Sequence, residues 1–299
     1  MSRLRTFLEM IKFEHTIFAL PFAYLGMVLA WSEMGMLVQP PATPLAWRTL
    51  VWQFVWITVA MAAARTAAMA FNRAIDAEID ARNPRTAGRP IQSGRISKRT
   101  VWLAGFVALG AMLLAAWQLN TFVLLLSPLA VLGLVGYAYT KRFTWLCHLW
   151  LGLVDGAAAA GAWAAVTASL NNPIPWLLWA AVAVWIGGFD LIYACQDVEV
   201  DRRDGLQSFP ARFGIARALR LSEICHVLTV LLLAAVGVIA GLGWPYWAGL
   251  LVVTGLLIYE HTLVKPTDLS KVNLAFFTMN GYISLIAFIA TLLGLAAAS

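Results

Sequence analysis

Charge is scarce in this chain. Only 12% of its 299 residues are Asp, Glu, Lys or Arg, 61% are hydrophobic, and the mean hydropathy is +0.77. Soluble domains carry about 25% charged residues, so a water-facing globule is excluded and a bilayer must solvate most of the surface. Cysteine is scarce as well. Cys147, Cys195 and Cys225 lie in or beside apolar stretches without paired spacing. That excludes a disulfide framework and a zinc site and leaves them as small packing residues. No apolar stretch alternates with period two, which excludes barrel strands. No Gly/Ser linker or low-complexity tract divides the chain, so residues 1–299 read as one domain.

What is present is a series of long apolar stretches, near 17–37, 50–71, 101–118, 121–139, 146–168, 175–195, 227–243, 245–264 and 274–297. Crossing a hydrocarbon core takes roughly 17–25 helical residues. The expected fold is therefore all-α: a polytopic membrane protein of about nine transmembrane helices in one bundle, with a central cavity opening to the cytoplasmic side. Two long polar segments, 73–100 and 197–222, each follow a span that ends in carboxylates. Their positions predict two related four-helix halves, about 45–168 and 175–297, although no residue-level repeat is visible.

The cations set the orientation. Of 21 Lys and Arg, all but Arg48 and Arg65 fall on one side when the N-terminus is placed inside. By the positive-inside rule that side is cytoplasmic. The net charge of +6 thus reflects orientation in a cytoplasmic (inner) membrane, and no nucleic-acid partner is read from it. The N-terminal stretch places Leu4, Phe7, Leu8 and Ile11 on one helical face, as a helix lying in the interface would.

Two motifs carry chemistry. In the first, Asn72, Asp76 and Asp80 recur every four residues, so a helix stacks them on one face, and Arg65 shares it. Two carboxylates one turn apart repel unless a cation lies between them. The second motif repeats the step with Asp197 and Asp201, and Asp190 lies two turns earlier on the same face. Acids at a helix C-terminus oppose the macrodipole, so capping does not account for them. Two facing Asp pairs, with no His or Cys among them, suit Mg²⁺, which takes a few carboxylates plus substrate phosphates. Arg73, Arg82, Arg85, Arg89, Lys141, Arg142, Arg202 and Arg203 lie close by in sequence. Some serve orientation only; others can neutralise a leaving diphosphate.

These motifs resemble the UbiA superfamily of intramembrane aromatic prenyltransferases. The resemblance runs through Asn72-x₃-Asp76-x₃-Asp80, Arg85-Thr-Ala-Gly-Arg89-Pro90, Ser93-Gly94, Tyr139-Thr-Lys141-Arg142-Phe-Thr144 and Asp190-x₂-Tyr193-Ala194-x₂-Asp197-x₃-Asp201. Lys12-Phe-Glu-His15-Thr16 and Phe209-Pro-Ala-Arg-Phe-Gly214 point to a bacterial quinone-pathway branch. The resemblance implies Mg²⁺-dependent transfer of a prenyl or polyprenyl group from its diphosphate to an aromatic carboxylic acid, of 4-hydroxybenzoate or naphthoate type. That places the activity in ubiquinone or menaquinone biosynthesis. Asp76, Asp80, Asp197 and Asp201 would be catalytic and hold the metal with Asn72. Arg89 and Lys141 would meet the diphosphate, and Arg142, Tyr193 and Asp190 the acceptor. Arg65 and Asp155, a charge deep in the fifth span, have no fixed role. Gln207-Ser208 stands where many members carry Lys-Ser. No obligatory protein partner is implied.

Two rivals fit less well. A CDP-alcohol phosphotransferase would begin with Asp201-x₂-Asp204-Gly205, but its Ala-Arg arrives late, at Ala211-Arg212, and Asp76 and Asp80 are left over. An ion-coupled transporter should keep its acids near mid-membrane. His148, His226 and His261 lie near span boundaries without partner motifs and read as packing residues, and Gly152-x₃-Gly156 reads as close helix packing. Reporter fusions test the orientation. Those after Arg95 and Arg217 should report the cytoplasm and one at Ser299 the outside; a cytoplasmic signal at Ser299 would overturn the count of nine.

Overall fold

The computed structural model describes residues 3–11, 16–37 and 44–298. Lys12 to His15, part of the resemblance above, lie outside the described residues. In chain order the helices are α1 (Arg3–Met10), α2 (Thr16–Glu33), α3 (Pro44–Ile75), α4 (Ala77–Arg82), α5 (Lys98–Leu119) and α6 (Thr121–Thr140). There follow α7 (Cys147–Thr167), α8 (Pro173–Ala194), α9 (Val198–Arg203), α10 (Phe209–Phe213), α11 (Ile215–Ile239), α12 (Trp244–Leu263) and α13 (Asn280–Ala298). A 3₁₀ turn, Cys195–Asp197, joins α8 to α9, and a π-helical turn, Leu274–Met279, leads into α13. No strand occurs among the described residues, so the protein is all-helical.

Among the described residues seven helices are long and apolar enough to cross a membrane: Trp47–Ile75, Lys98–Leu119, Thr121–Thr140, Cys147–Thr167, Pro173–Arg203, Ile215–Ile239 and Leu274–Ala298. The other two expected stretches are helical as α2 and α12. The second of these is diluted by Glu260 and His261 at one end and a Trp-Pro-Tyr-Trp start at the other. Phe7, Leu8 and Met10 of α1, with Ile11 just after it, pack with Ala70 and Ala74 of α3 and Val101 of α5, so this apolar face is covered at least in part by protein.

In lipid, helices associate by van der Waals fit rather than by apolar burial, and small residues let backbones approach. The chain follows this rule around α8. A Cβ placed on Gly152 would lie 2.0 Å from the Ala183 carbonyl oxygen, and one on Gly156 would lie 2.8 Å from the Ala183 nitrogen, so α7 and α8 touch backbone to backbone. Gly26 of α2 meets Ala159 of α7 in the same way, at 2.1 Å. On its other side α8 packs on α11, where Gly188 accommodates the His226 ring. The largest buried cluster, around Trp163, Leu178, Leu233 and Ile283, joins α2, α7, α8, α11, α12 and α13.

Both carboxylate motifs fall at helix breaks. Asp76, between α3 and α4, has φ −87 and ψ 5, and Asp197, between the 3₁₀ turn and α9, has φ −103 and ψ 4. These are bridge-region conformations, common at active sites. The first break is mild: Asp76 N–H still donates to Asn72 O at 2.9 Å and Asp80 N–H to Asp76 O at 2.8 Å, so the four-residue stacking continues through it.

Because the α7–α8 contact has no room for a side chain, Gly152→Ala should destabilise the protein by about 1–3 kcal/mol. Gly110→Ala, where a Cβ would meet nothing within 4 Å, should not. Melting temperatures in detergent compare the two; equal values would show that the close approach is not needed.

Candidate active site

A cavity of about 380 Å³ is lined by α3, α4, α6, α7, α8, α9 and the π-helical turn. It gathers Arg65, Asn72, Asp76, Asp80, Arg89, Lys141, Asp155, Asp190, Tyr193, Asp197 and Asp201 into one space. Of the residues expected at the site, only Arg142 does not line it.

Protein cations pair with three of the four motif aspartates. Asp76, 2% exposed, accepts from Lys141 Nζ at 2.5 Å, Arg142 Nη2 at 2.8 Å and Asn72 Nδ2 at 3.3 Å. Asp80 accepts from Arg89 Nη1 at 2.5 Å. Asp197 accepts from Arg85 Nε at 3.0 Å and Nη2 at 2.5 Å, and from Asn83 Nδ2 at 2.8 Å. Asp201 instead accepts from Ser208 Oγ at 2.5 Å. Like charges stacked at four-residue steps are thus separated by cations contributed by the protein itself. Arg85 also donates to Tyr193 Oη at 2.9 Å. Burial would lower the Arg85 pKa, but its hydrogen bond to Asp197 and the nearby acids hold it above its ordinary value.

Arg142 stands behind Asp76. Its Nη1 donates to Ala138 O at 2.6 Å and its Nη2 to Ile75 O at 3.3 Å, and its guanidinium lies 5.2 Å from the Tyr139 ring centre. With Nη1 committed to α6 and Nη2 to the α3 break, Arg142 does not line the cavity. Arg65 is the better placed cation. It lines the cavity, and among the described residues it forms no hydrogen bond with Asp155 and its buried Nε has no partner. Asp155 lines the same part of the cavity.

Below the aspartates the wall is aromatic. Phe276 of the π-helical turn lies 4.2 Å, centre to centre, from Tyr193 and 5.1 Å from Phe189, which in turn lies 5.0 Å from Trp185. Sequence reasoning missed several members of the site. Asn83 and the π-turn Phe276 and Phe277 carry no periodic signal. His148, read as packing, lines the cavity with its Nδ1 2.6 Å from Asp190 Oδ2. Its four-residue step to Gly152 on the helix face that meets α8 was the available clue. Arg82 and Arg203 instead pair with Asp204, and Arg202 donates to Ala211 O, so these cations order the loop rather than the cavity.

Among the described residues no three carboxylate, His or Cys groups lie close enough together to hold an ion unaided. The carboxylates stand instead as pairs on opposite walls. That arrangement fits Mg²⁺, which takes one or two carboxylates and completes its shell with phosphate oxygens and water.

An all-helical membrane bundle with paired aspartates at two helix breaks, ringed by Arg and Lys above an aromatic chamber, defines an intramembrane enzyme for a substrate with an anionic head and an apolar tail. The profile of the UbiA prenyltransferase family matches residues 19–297, and the chain belongs to this family. It is 29% identical over 277 residues to the 4-hydroxybenzoate octaprenyltransferase of Cupriavidus necator, covering 92% of each chain. It is 30% identical to the enzyme of that name from Aeromonas salmonicida, covering 89% of this chain and 95% of that one. Among solved structures it resembles the apo UbiA homolog of Aeropyrum pernix K1, with a TM-score of 0.80 and 33% identity over 94% of this chain and 98% of that one. A UbiA homolog from Archaeoglobus fulgidus bound to DMAPP and Mg²⁺ shares the fold, with a TM-score of 0.62 and 18% identity, covering 94% and 99%.

Since Asp76 shares its charge between two cations, its loss leaves both without their carboxylate. Asp76→Ala should therefore lower the detergent-state stability by about 1–3 kcal/mol, and adding Lys141→Met should recover part of it. If melting of Asp76→Ala matches the parent protein, the three-way contact contributes nothing to folding.

Proposed function

We propose that the protein transfers a prenyl or polyprenyl group from an allylic diphosphate to an aromatic acid of the 4-hydroxybenzoate type, in ubiquinone or menaquinone biosynthesis. The observation that carries this reading is the facing of two aspartate pairs at matched helix breaks across one cation-ringed cavity. The 4-hydroxybenzoate octaprenyltransferase names of the relatives and the DMAPP and Mg²⁺ of the fold neighbour support it.

On this reading Asp76, Asp80, Asp197 and Asp201, with Asn72, hold Mg²⁺, which when bound neutralises charge on the diphosphate head. The protein's own groups do the rest. Lys141 and Arg89 leave Asp76 and Asp80 to meet phosphate oxygens, so the site stays charge-balanced as the head enters. Arg85, bridging Asp197 and Tyr193, holds the second motif against the first. The apolar and aromatic wall excludes water from the allylic carbon once the bond to oxygen breaks. The acceptor ring lies deeper, beside Tyr193 and Asp190, with its carboxylate on Arg65 rather than Arg142, because a buried anion needs a partner and Arg65 is the one with uncommitted donors. Asp155 offsets part of the Arg65 charge when the acceptor is away.

The bundle has nine spans on this reading, with α2 and α12 crossing beside the seven. It comprises one domain, 1–299, with related halves at about 45–168 and 175–297. The matched breaks at Asp76 and Asp197 support the halves. It lies in the cytoplasmic membrane, N-terminus and cavity mouth toward the cytoplasm, without an obligatory protein partner.

Purified protein incubated with a short prenyl diphosphate, 4-hydroxybenzoate and Mg²⁺ should yield a ring-prenylated acid by mass spectrometry. Asp197→Ala should reduce this at least about 100-fold, as should chelation by EDTA. Full activity in EDTA would sink the assignment.

A further inference from the structure

His148 makes two contacts that fix its state. Its Nε2 accepts the Phe209 backbone N–H at 3.3 Å, and a backbone amide can only donate. The ring proton is therefore on Nδ1, which donates to Asp190 Oδ2 at 2.6 Å. His148 is 6% exposed and Asp190 is half-buried, so a buried imidazole holds a cavity-facing carboxylate across the α7–α8 contact. Asp190 lines the cavity, and while Oδ2 is held by His148, its second oxygen, Oδ1, has no hydrogen-bond partner among the described residues. On helical geometry, seven residues place it roughly 10 Å from Asp197 along α8, at the depth of the ring rather than of the diphosphate.

The Phe209 amide is itself anchored. The preceding residue, Ser208, is 4% exposed and donates its hydroxyl to Asp201, so one dipeptide links a diphosphate-side aspartate to the histidine behind Asp190. The Gln207 N–H donates to Lys141 O at 2.7 Å and ties the same strand of chain to the end of α6.

We propose that Asp190 receives the proton released from the acceptor ring and that His148 is the positioning residue that presents its Oδ1 for this. The inference rests on the function proposed above. In the step, the ring carbon forms a bond to the allylic carbon while the carbon–oxygen bond to diphosphate breaks, its electron pair leaving with the diphosphate. The ring carbon then gives up its hydrogen as a proton to Asp190 Oδ1, and the C–H electron pair restores the aromatic ring. Asp190 becomes a neutral acid, and the proton later leaves through the mouth of the cavity. Throughout, His148 keeps its Nδ1 hydrogen and holds Oδ2. A carboxylate without this second bond would swing between Arg65 and the ring, and a small misplacement of a proton acceptor is costly in rate.

The test uses purified full-length protein and 4-hydroxybenzoate deuterated at the ring positions beside the hydroxyl. With the parent protein, proton loss follows a slower step, so deuterium should leave kcat nearly unchanged. His148→Ala should lower kcat at least about tenfold, leave the KM for prenyl diphosphate within about twofold, and expose a primary deuterium effect on kcat. His148→Gln, which keeps an N–H donor, should restore most of the rate and abolish the isotope effect. Asp190→Asn should show the same isotope effect as His148→Ala, and it carries the test if His148→Ala does not fold. The inference is overturned if the slow variants show no isotope effect, or if the loss is confined to the prenyl diphosphate KM. If the parent protein prenylates no aromatic acid at all, the proposed function fails instead, and the two outcomes are distinct.

Discussion

Asp76 and Asp80, 2% and 6% exposed, lie one turn apart at the end of a membrane-spanning helix, and such a pair is tenable only with compensating charge. The compensation comes from outside their own helix: Lys141 and Arg142 follow α6, and Arg89 lies in the segment between α4 and α5. Meeting this demand draws those segments over the mouth of the cavity. Asp197 does the same from the other wall, with Arg85 and Asn83 reaching it from the α4–α5 segment, more than a hundred residues earlier in sequence. The order of the loops is thus a consequence of the placement of the acids. Each of these cations already faces an anion of the protein, so none of them is a lone charge at the cavity.

The scaffold holds the two walls at fixed separation by different means. Deep in the bundle, glycines at 26, 152 and 156 set backbone contacts that no side chain can cushion, and packing of this kind is bistable at best rather than compliant. At the mouth, the helices break at Asp76 and Asp197 and continue as the short α4 and α9. Close backbone contacts thus hold the chamber, while the rim is formed by separate short helices.

The four-residue recurrence of Asn72, Asp76 and Asp80 and of Asp197 and Asp201 was legible because an α-helix maps that spacing onto one face, and the structure puts all five on one cavity. The glycine pair at 152 and 156 was legible for the same reason. That Lys141 rather than Arg142 lines the cavity was not legible, because the two carry the same charge at the same helix end and sequence cannot tell which of two adjacent cations turns inward. His148 was missed because its partner lies on another helix, 42 residues away. Phe276 and Asn280 were invisible for a further reason. They sit in and after a π-helical turn, where the ordinary 3.6-residue face no longer holds; Asn280 donates to the Ala275 and Phe276 carbonyls there.

One helix, α8 with its short continuation, carries most of the chemistry in a single register. Trp185, Phe189, Tyr193, Asp197 and Asp201 follow at steps of four, and all line the cavity. The aromatic residues supply the dry wall and the acids the wet rim, so the boundary between the apolar and anionic parts of the cavity falls between Tyr193 and Asp197. Arg85 marks that boundary by bonding to both. Inserting one residue between them would turn the acids about 100° away from the aromatic face, leaving both halves of the site intact but no longer facing the same space. The register of α8, more than any one side chain, joins the acidic rim to the aromatic wall. This is why the Gly152 and Gly156 contacts, which clamp α8 at Ala183 one turn before Gly187, belong to the site although neither glycine touches a ligand.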